Sequence, residues 1–376
     1  MSRIPALIIC TICSLRWILA ADAGGGSYLS RLQEALRRAG TDMPAITQSA
    51  ERAAGDFLAG GNLWAAGRQG DFIAEACGRA GGLLSIAPLG ERSATNRDVI
   101  LFAVPGRLVE SDSDKITQWE EKGPRVVAFH SPAGVFADRF PLDTVANVSD
   151  LWIWTGEFVA ACTRRGKMPV LYQSYGLPGG PERGKKYQGK RFHDDLTIQP
   201  VGPGVLGREY LAQIKRMLDD IQQSQMPQIA QAAQWWQRAS SNSTTILVTG
   251  HMFPRHAEDP RTIPCGRFEP APVWEDKVLV DAARPPEFVL YLGYQYAPRK
   301  LVDWASASGA KLVYTTVQPV QPPQPASNIV YLDLGWPLTD ACVRVPGYDV
   351  LILPASGVLQ AAIYWALASE RAQAAP

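Results

Sequence analysis

Asp98-Val99-Ile100-Leu101-Phe102-Ala103-Val104-Pro105-Gly106 holds an unbroken apolar run, Val99 to Val104, closed by a Pro-Gly turn. A run of that length without polar alternation is a strand buried on both faces. A polar helix over about Ser113 to Lys122 follows, and Arg125 to Phe129 is a second apolar strand. Strand, turn, helix and strand at this spacing form a βαβ unit, which requires parallel strands covered by helices. Upstream the grammar repeats. Asn62 to Ala66 predicts a short strand, Gly67-Arg68-Gln69-Gly70 a turn, Asp71 to about Arg79 a helix, and Leu83 to Ala87 another strand. Tyr28 to Leu58 has helical periodicity broken near Gly40 to Pro44, so two helices are expected there. Asp150 to Thr163 predicts a largely apolar helix.

From Tyr172 to Gly207 the chain turns to Gly, Pro, Lys and Arg with little periodicity, a loop of the length that carries function or wraps a neighbour. A connecting helix from about Arg208 to Gln223 leads to a boundary near Pro227. A helix through Trp235-Trp236 opens the second half. Thr245 to Thr249 is then a strand, Pro254 to Pro272 a Pro-rich excursion, Glu287 to Leu292 a strand, Arg299 to Ser308 a helix and Lys311 to Val317 a strand. Asp349 to Leu353 reads as the last buried strand, before Pro354-Ala355-Ser356-Gly357 and a closing helix. Both halves share one order of elements, the mark of a duplication at domain scale.

The whole chain has 376 residues, 46% hydrophobic and 19% charged, an ordinary globular composition with length for two domains. Lys+Arg 37 against Asp+Glu 36 leaves +1, so no basic field exists to condense on nucleic acid. Four histidines argue against a His-rich metal enzyme, and neither a metal nor a cofactor is expected. Gly-x-Ser-x-Gly is absent, and Gly67-Arg68-Gln69-Gly70 is too sparse to stand in for Gly-x-Gly-x-x-Gly. Ile4 to Leu15 is an apolar run behind Arg3, and Ala21-Asp22-Ala23 offers a small-x-small cleavage pattern, so residues 1–23 are a candidate signal peptide. Arg16 interrupts that run; export to the periplasm is the favoured reading and a cytoplasmic protein the alternative. No later segment has the eighteen or so uninterrupted apolar residues of a membrane span. Cys77, Cys162, Cys265 and Cys342 are widely spaced and include no CxxC pair, so no disulfide framework is expected.

Three pieces of the first half carry a family resemblance: Phe57-Leu58-Ala59-Gly60-Gly61-Asn62-Leu63-Trp64-Ala65-Ala66-Gly67-Arg68-Gln69-Gly70, the Asp98–Gly106 stretch with Lys122-Gly123-Pro124-Arg125-Val126-Val127-Ala128-Phe129, and Trp154-Thr155-Gly156-Glu157-Phe158. Their order resembles the sugar isomerase (SIS) domain, a phosphosugar-binding family. The resemblance implies an α/β fold of three-layer α/β/α type, a parallel sheet with flavodoxin-like topology, in two similar domains in tandem: 28–225 and a more divergent 226–376. In the family the first glycine turn continues with Ser, and the second strand ends in Ser-x-Ser/Gly-x-Thr. Here Gly67-Arg68-Gln69-Gly70-Asp71 and Val104-Pro105-Gly106-Arg107 stand in those places, without the hydroxyls. Arg68 and Arg107 offer positive charge instead, since arginine binds oxyanions bidentately.

The candidate ligand-binding residues are therefore Gly67, Arg68, Gln69, Gly70, Gly106 and Arg107, at the carboxyl edge of the sheet where open α/β folds bind ligands. Ser356 opens the last helix, either as an anion contact or as an N-cap. Glu157 lies in an apolar helix, as a base for enolisation on the family pattern or as the partner of Arg164 or Arg165. His251, after Gly250, is an acid/base candidate or a loop histidine; His256, Glu258 and Asp259 match no metal template. The loop cations Arg183, Lys185, Lys186 and Lys190 form either an electrostatic flap or a solvated loop. The resemblance implies a small sugar or sugar phosphate as ligand, with aldose–ketose isomerisation if the chain is an enzyme, and a homodimer as one open arrangement. The alternative is a non-enzymatic, envelope-associated partner-binding protein.

Overall fold

The computed structural model describes residues 25–130, 140–249, 266–270, 280, 285–317 and 326–373. The described residues open with α1 (Gly25–Thr41) and α2 (Met43–Leu58), the pair expected from the interrupted periodicity. β1 (Leu63–Gly67), α3 (Gly70–Ala76), β2 (Ile86–Pro88), β3 (Val99–Ala103), α4 (Glu110–Glu121) and β4 (Arg125–Phe129) follow. These four strands form one sheet in the order β2-β1-β3-β4, every neighbouring pair parallel. β3 is central and buried at every residue, as its unbroken apolar run requires. Gly67 closes β1 at φ +119°, and a Cβ there would lie 1.9 Å from the Ala103 carbonyl oxygen, so only glycine lets the two strand ends run together.

α5 (Leu142–Thr163) is apolar nearly all round, and every residue except Ala146 and Asp150 is buried. A helix with no solvent face is a core element. It packs on α2 and on α7 (Val205–Ser224), which is reached through the short α6 (Gly180–Lys186). α8 (Met226–Arg238) follows directly, with Gln225 flanking both helices, so the expected boundary is a helix–helix corner.

β5 (Thr244–Val248), β6 (Arg267–Pro270), β7 (Phe288–Leu292), α9 (Arg299–Ser308), β8 (Lys311–Thr315) and β9 (Ile329–Leu332) build the second half. The sheet runs β6-β5-β7-β8-β9, again parallel throughout. β10 (Ala341–Val343) and β11 (Ile352–Pro354) pair antiparallel in a separate ribbon. The stretch Asp349 to Leu353, read as a buried sheet strand, is thus corrected. Only its last two residues, Ile352 and Leu353, are strand, and they belong to the ribbon with β10 and not to the five-stranded sheet; Leu353, at φ +64°, departs from extended geometry inside that ribbon. The chain closes with α10 (Ser356–Gln373), the counterpart of α5. One apolar core includes Trp152 and Trp154 of the first half together with Trp236 and Trp365 of the second. No described helix is long and apolar enough to cross a membrane. Cys77, Cys162 and Cys342 are free thiols; Cys265 and residues 1–23 lie outside the described residues.

Candidate functional site

The carboxyl edge of the first sheet brings Gly67, Arg68, Gln69, Gly70, Gly106 and Arg107 together, because β1 and β3 are register neighbours ending side by side. Arg68 is bound bidentately by Asp112 of α4, Nε to Oδ1 at 3.1 Å and Nη2 to Oδ2 at 2.7 Å. The guanidinium and the Val109 N–H hold the Asp112 carboxyl below its ordinary range. Gln69 is buried. Its backbone N–H donates to Ala103, its side-chain N–H donates to the Thr144 carbonyl, and its amide oxygen accepts from Asn147 at 2.7 Å. Asn147 also donates to the Val104 carbonyl. Gly70 begins α3. Gly106 donates its N–H to Asp143 Oδ2 at 2.5 Å. Asp143 and Asn147, one turn apart at the start of α5, thus fill the mouth of the β3 turn with the protein's own polar groups. Arg107 is exposed and has no ion-pair partner among the described residues.

The second half repeats the construction. Thr249 donates its N–H to Leu292 as β5 ends beside β7, and Gln360 of α10 donates to the carbonyls of Leu292 and Gly293, as Asn147 does to Val104. His251, with His256, Glu258 and Asp259, lies outside the described residues.

Glu157 is elsewhere. It follows Asn147 by ten residues on α5, about 15 Å along the axis at 1.5 Å per residue. Its Oε2 accepts from Thr47 Oγ1 at 3.0 Å and the Gly204 N–H at 2.5 Å, and its Oε1 accepts from the Gly207 N–H at 2.9 Å. Gly204 and Gly207 begin α7, so this carboxylate caps a neighbouring helix with favourable dipole sign. Arg164 and Arg165 pair with Glu51 instead.

Ser356 is fully buried in a cluster that joins the halves. Its N–H donates to Asp340 Oδ1 at 2.8 Å, its hydroxyl donates to Asp340 Oδ2 at 3.0 Å, and Arg79 Nη2 donates to its hydroxyl oxygen. Arg79 also meets Asp340 at 2.8 Å and lies 3.4 Å from Glu75, while the Tyr294 hydroxyl donates to Asp340 at 2.9 Å. The α10 N-terminus is therefore satisfied by Asp340. Burial pushes the Glu75 carboxyl up to about 7, against the pull of Arg79 and with Asp340 and Asp71 adding to the rise. Asp340 is at φ +64°, as strained a backbone as Leu353 beside it.

Sequence reasoning missed Asp143, Asn147, Asp112, Glu75, Arg79, Asp340 and Tyr294. The available signal was spacing: Asp143 and Asn147 lie one turn apart on α5, and Arg79 follows Glu75 by four residues, just past the end of α3.

No family model and no curated protein matches the sequence. Solved structures do. A protein described as a phosphosugar isomerase from Clostridium difficile matches at TM-score 0.50 with 8% identity, over 94% of this chain and 94% of its own. Tagatose-6-phosphate ketose/aldose isomerase from Escherichia coli matches at TM-score 0.48 with 10% identity, over 96% of each chain. The C-terminal domain of glucosamine-fructose-6-phosphate aminotransferase from Francisella tularensis matches at 0.44 with 12% identity, over 89% of this chain and 96% of its own. With parallel sheets under helices in both halves, the fold is of the SIS type, two α/β/α units in tandem.

Proposed function

We propose that this chain binds a carbohydrate derivative on its SIS-type scaffold and does not isomerise it. The observation that carries the reading is the Asp143 carboxylate on the Gly106 N–H, a protein anion seated in the strand-end turn. Arg68, the cation of the neighbouring β1 turn, is already committed to Asp112. Enolisation needs a base within hydrogen-bond reach of the substrate carbon's proton. Glu157 spends both oxygens on Thr47 and the entry of α7, about 21 Å along α5 from Asp143 in that turn.

The test pairs a thermal-shift panel of neutral, amino, acidic and phosphorylated sugars with an aldose–ketose assay on the same preparations. A ligand at a hundred times its Kd adds about 2.7 kcal/mol to folding, a plain rise in Tm. A binder that is recovered unchanged supports the reading. Interconversion of glucose 6-phosphate and fructose 6-phosphate, lost in Glu157→Gln, overturns its second part. Silence across the panel sinks it and moves weight to a partner-binding protein.

A further inference from the structure

Of the loop cations Arg183, Lys185, Lys186 and Lys190, three are paired with carboxylates and one is not. Arg183 meets Asp349 at 2.6 Å, Lys186 meets Asp195 at 2.5 Å and Lys190 meets Asp194 at 2.8 Å. Lys185 is exposed and has no carboxylate partner among the described residues. It lines a cavity of about 450 Å³ between the segment 170–173 and the α6 loop, within the size range of small-molecule sites. Tyr172, Tyr175 and Tyr187 line it too, together with Gln173 and Gln188, whose side chains have no hydrogen-bond partner among the described residues.

The walls are set before any ligand arrives. Tyr172 and Tyr175 meet edge to face at 5.3 Å, and Tyr187 meets the His193 ring at 4.2 Å. Arg183, its side chain only 10% exposed, lies between the Tyr187 and Tyr348 rings at 5.2 and 5.0 Å, and so fastens the loop to the second half. Gly184 is where the Tyr175 ring lies down: a Cβ there would come within 2.6 Å of it. The cleft is remote from the strand-end turns of the first sheet. Gly81 and Leu84 donate their N–H groups to Tyr172 and Val170, so it sits where the chain enters β2, at the opposite end of the sheet.

We propose that this cleft binds one saccharide unit bearing a single oxyanion, with Lys185 on the anion and the tyrosine rings on the apolar face of the sugar. The assignment rests on the carbohydrate-binding reading above and gives it a place. Flat apolar walls edged by amides and phenols suit a pyranose, which alternates C–H faces with hydroxyls. One unpaired ammonium, a compact point charge, selects one anionic group and accepts a carboxylate or a phosphate.

The test is calorimetric titration of the full chain with glucuronate, glucose 6-phosphate and glucose. The expected result is binding of at least one acidic sugar, with glucose at least tenfold weaker; which of the two acids binds tells carboxylate from phosphate. Lys185→Ala and Tyr175→Ala should each weaken that binding tenfold or more, Lys185→Arg should retain most of it, and Arg107→Ala should leave it unchanged. Lys185 and Tyr175 are exposed, so an unaltered Tm will show that the variants fold. Binding that survives Lys185→Ala and Tyr175→Ala but is lost in Arg107→Ala overturns this assignment and leaves carbohydrate binding standing at the strand ends. Glucose binding as tightly as the acids overturns the oxyanion, and no binding by any of the three overturns the cleft as a site.

Discussion

Glu75 keeps its proton in the fold at pH values where a solvated carboxyl has lost it, since burial raises it from 4.5 to about 7. Between those values the unfolded chain releases a proton that the folded chain retains. Stability therefore falls as pH rises from about 4.5 to about 7, and levels off above. Glu75→Gln removes this contribution. In urea titrations, the variant should gain on the wild type between pH 4.5 and pH 7 by an amount on the order of 2 kcal/mol. Asp150, half-buried and pushed up to about 7 by desolvation with Asp42 nearby, is common to both proteins and cancels. A pH-independent difference between the two would show that Glu75 ionises normally.

At the scale of the element, Glu157 serves α7. Glu157→Gln replaces one charged acceptor by an amide N–H facing Thr47 or a glycine N–H of the α7 entry, a buried mismatch worth about 1–3 kcal/mol. Urea unfolding should register that loss, and an unchanged midpoint would argue that the cap carries no weight. The same scale explains what the sequence disclosed. Val99 to Val104 and the Asp71 to Arg79 periodicity announce a βαβ unit because sheet and helix bury apolar groups at fixed periods. α5 begins at Leu142, not at the expected Asp150, because Asp143 and Asn147 are polar for the sake of the strand ends and mask the helical stripe. β6 lies in the Pro-rich excursion, and the four-residue edge strand β9 is too short for its alternating burial to stand out. Legibility of the site is lower still. The glycine turns are visible, but which carboxylate reaches Arg68 or Gly106 depends on tertiary contacts 44 and 37 residues apart.

Across the whole molecule, the halves share more than a linker. Arg79 of the first meets Asp340 of the second, Arg183 meets Asp349, and α1 packs along α10. A boundary at 225/226 is our proposal for the limit of the two units, and the buried Arg79 contact says that neither is closed without the other. Breaking a buried ion pair costs about 3–5 kcal/mol, a large share of the stability of a domain. Differential scanning calorimetry should therefore record one cooperative endotherm, with calorimetric and van't Hoff enthalpies in agreement. Two resolved transitions would mean that the halves unfold independently.

The Asp143 carboxylate on the Gly106 N–H has a further consequence, for competition. A group tethered to α5 is present at a local concentration that a dissolved ligand must exceed, of millimolar order for short flexible tethers. Any free phosphate approaching that turn meets an incumbent inhibitor carried by the same chain. Asp143→Ala should evict it and uncover anion binding that the native protein masks, visible as a phosphate-dependent rise in Tm confined to the variant. By that measure a single codon separates an occupied turn from a vacant one.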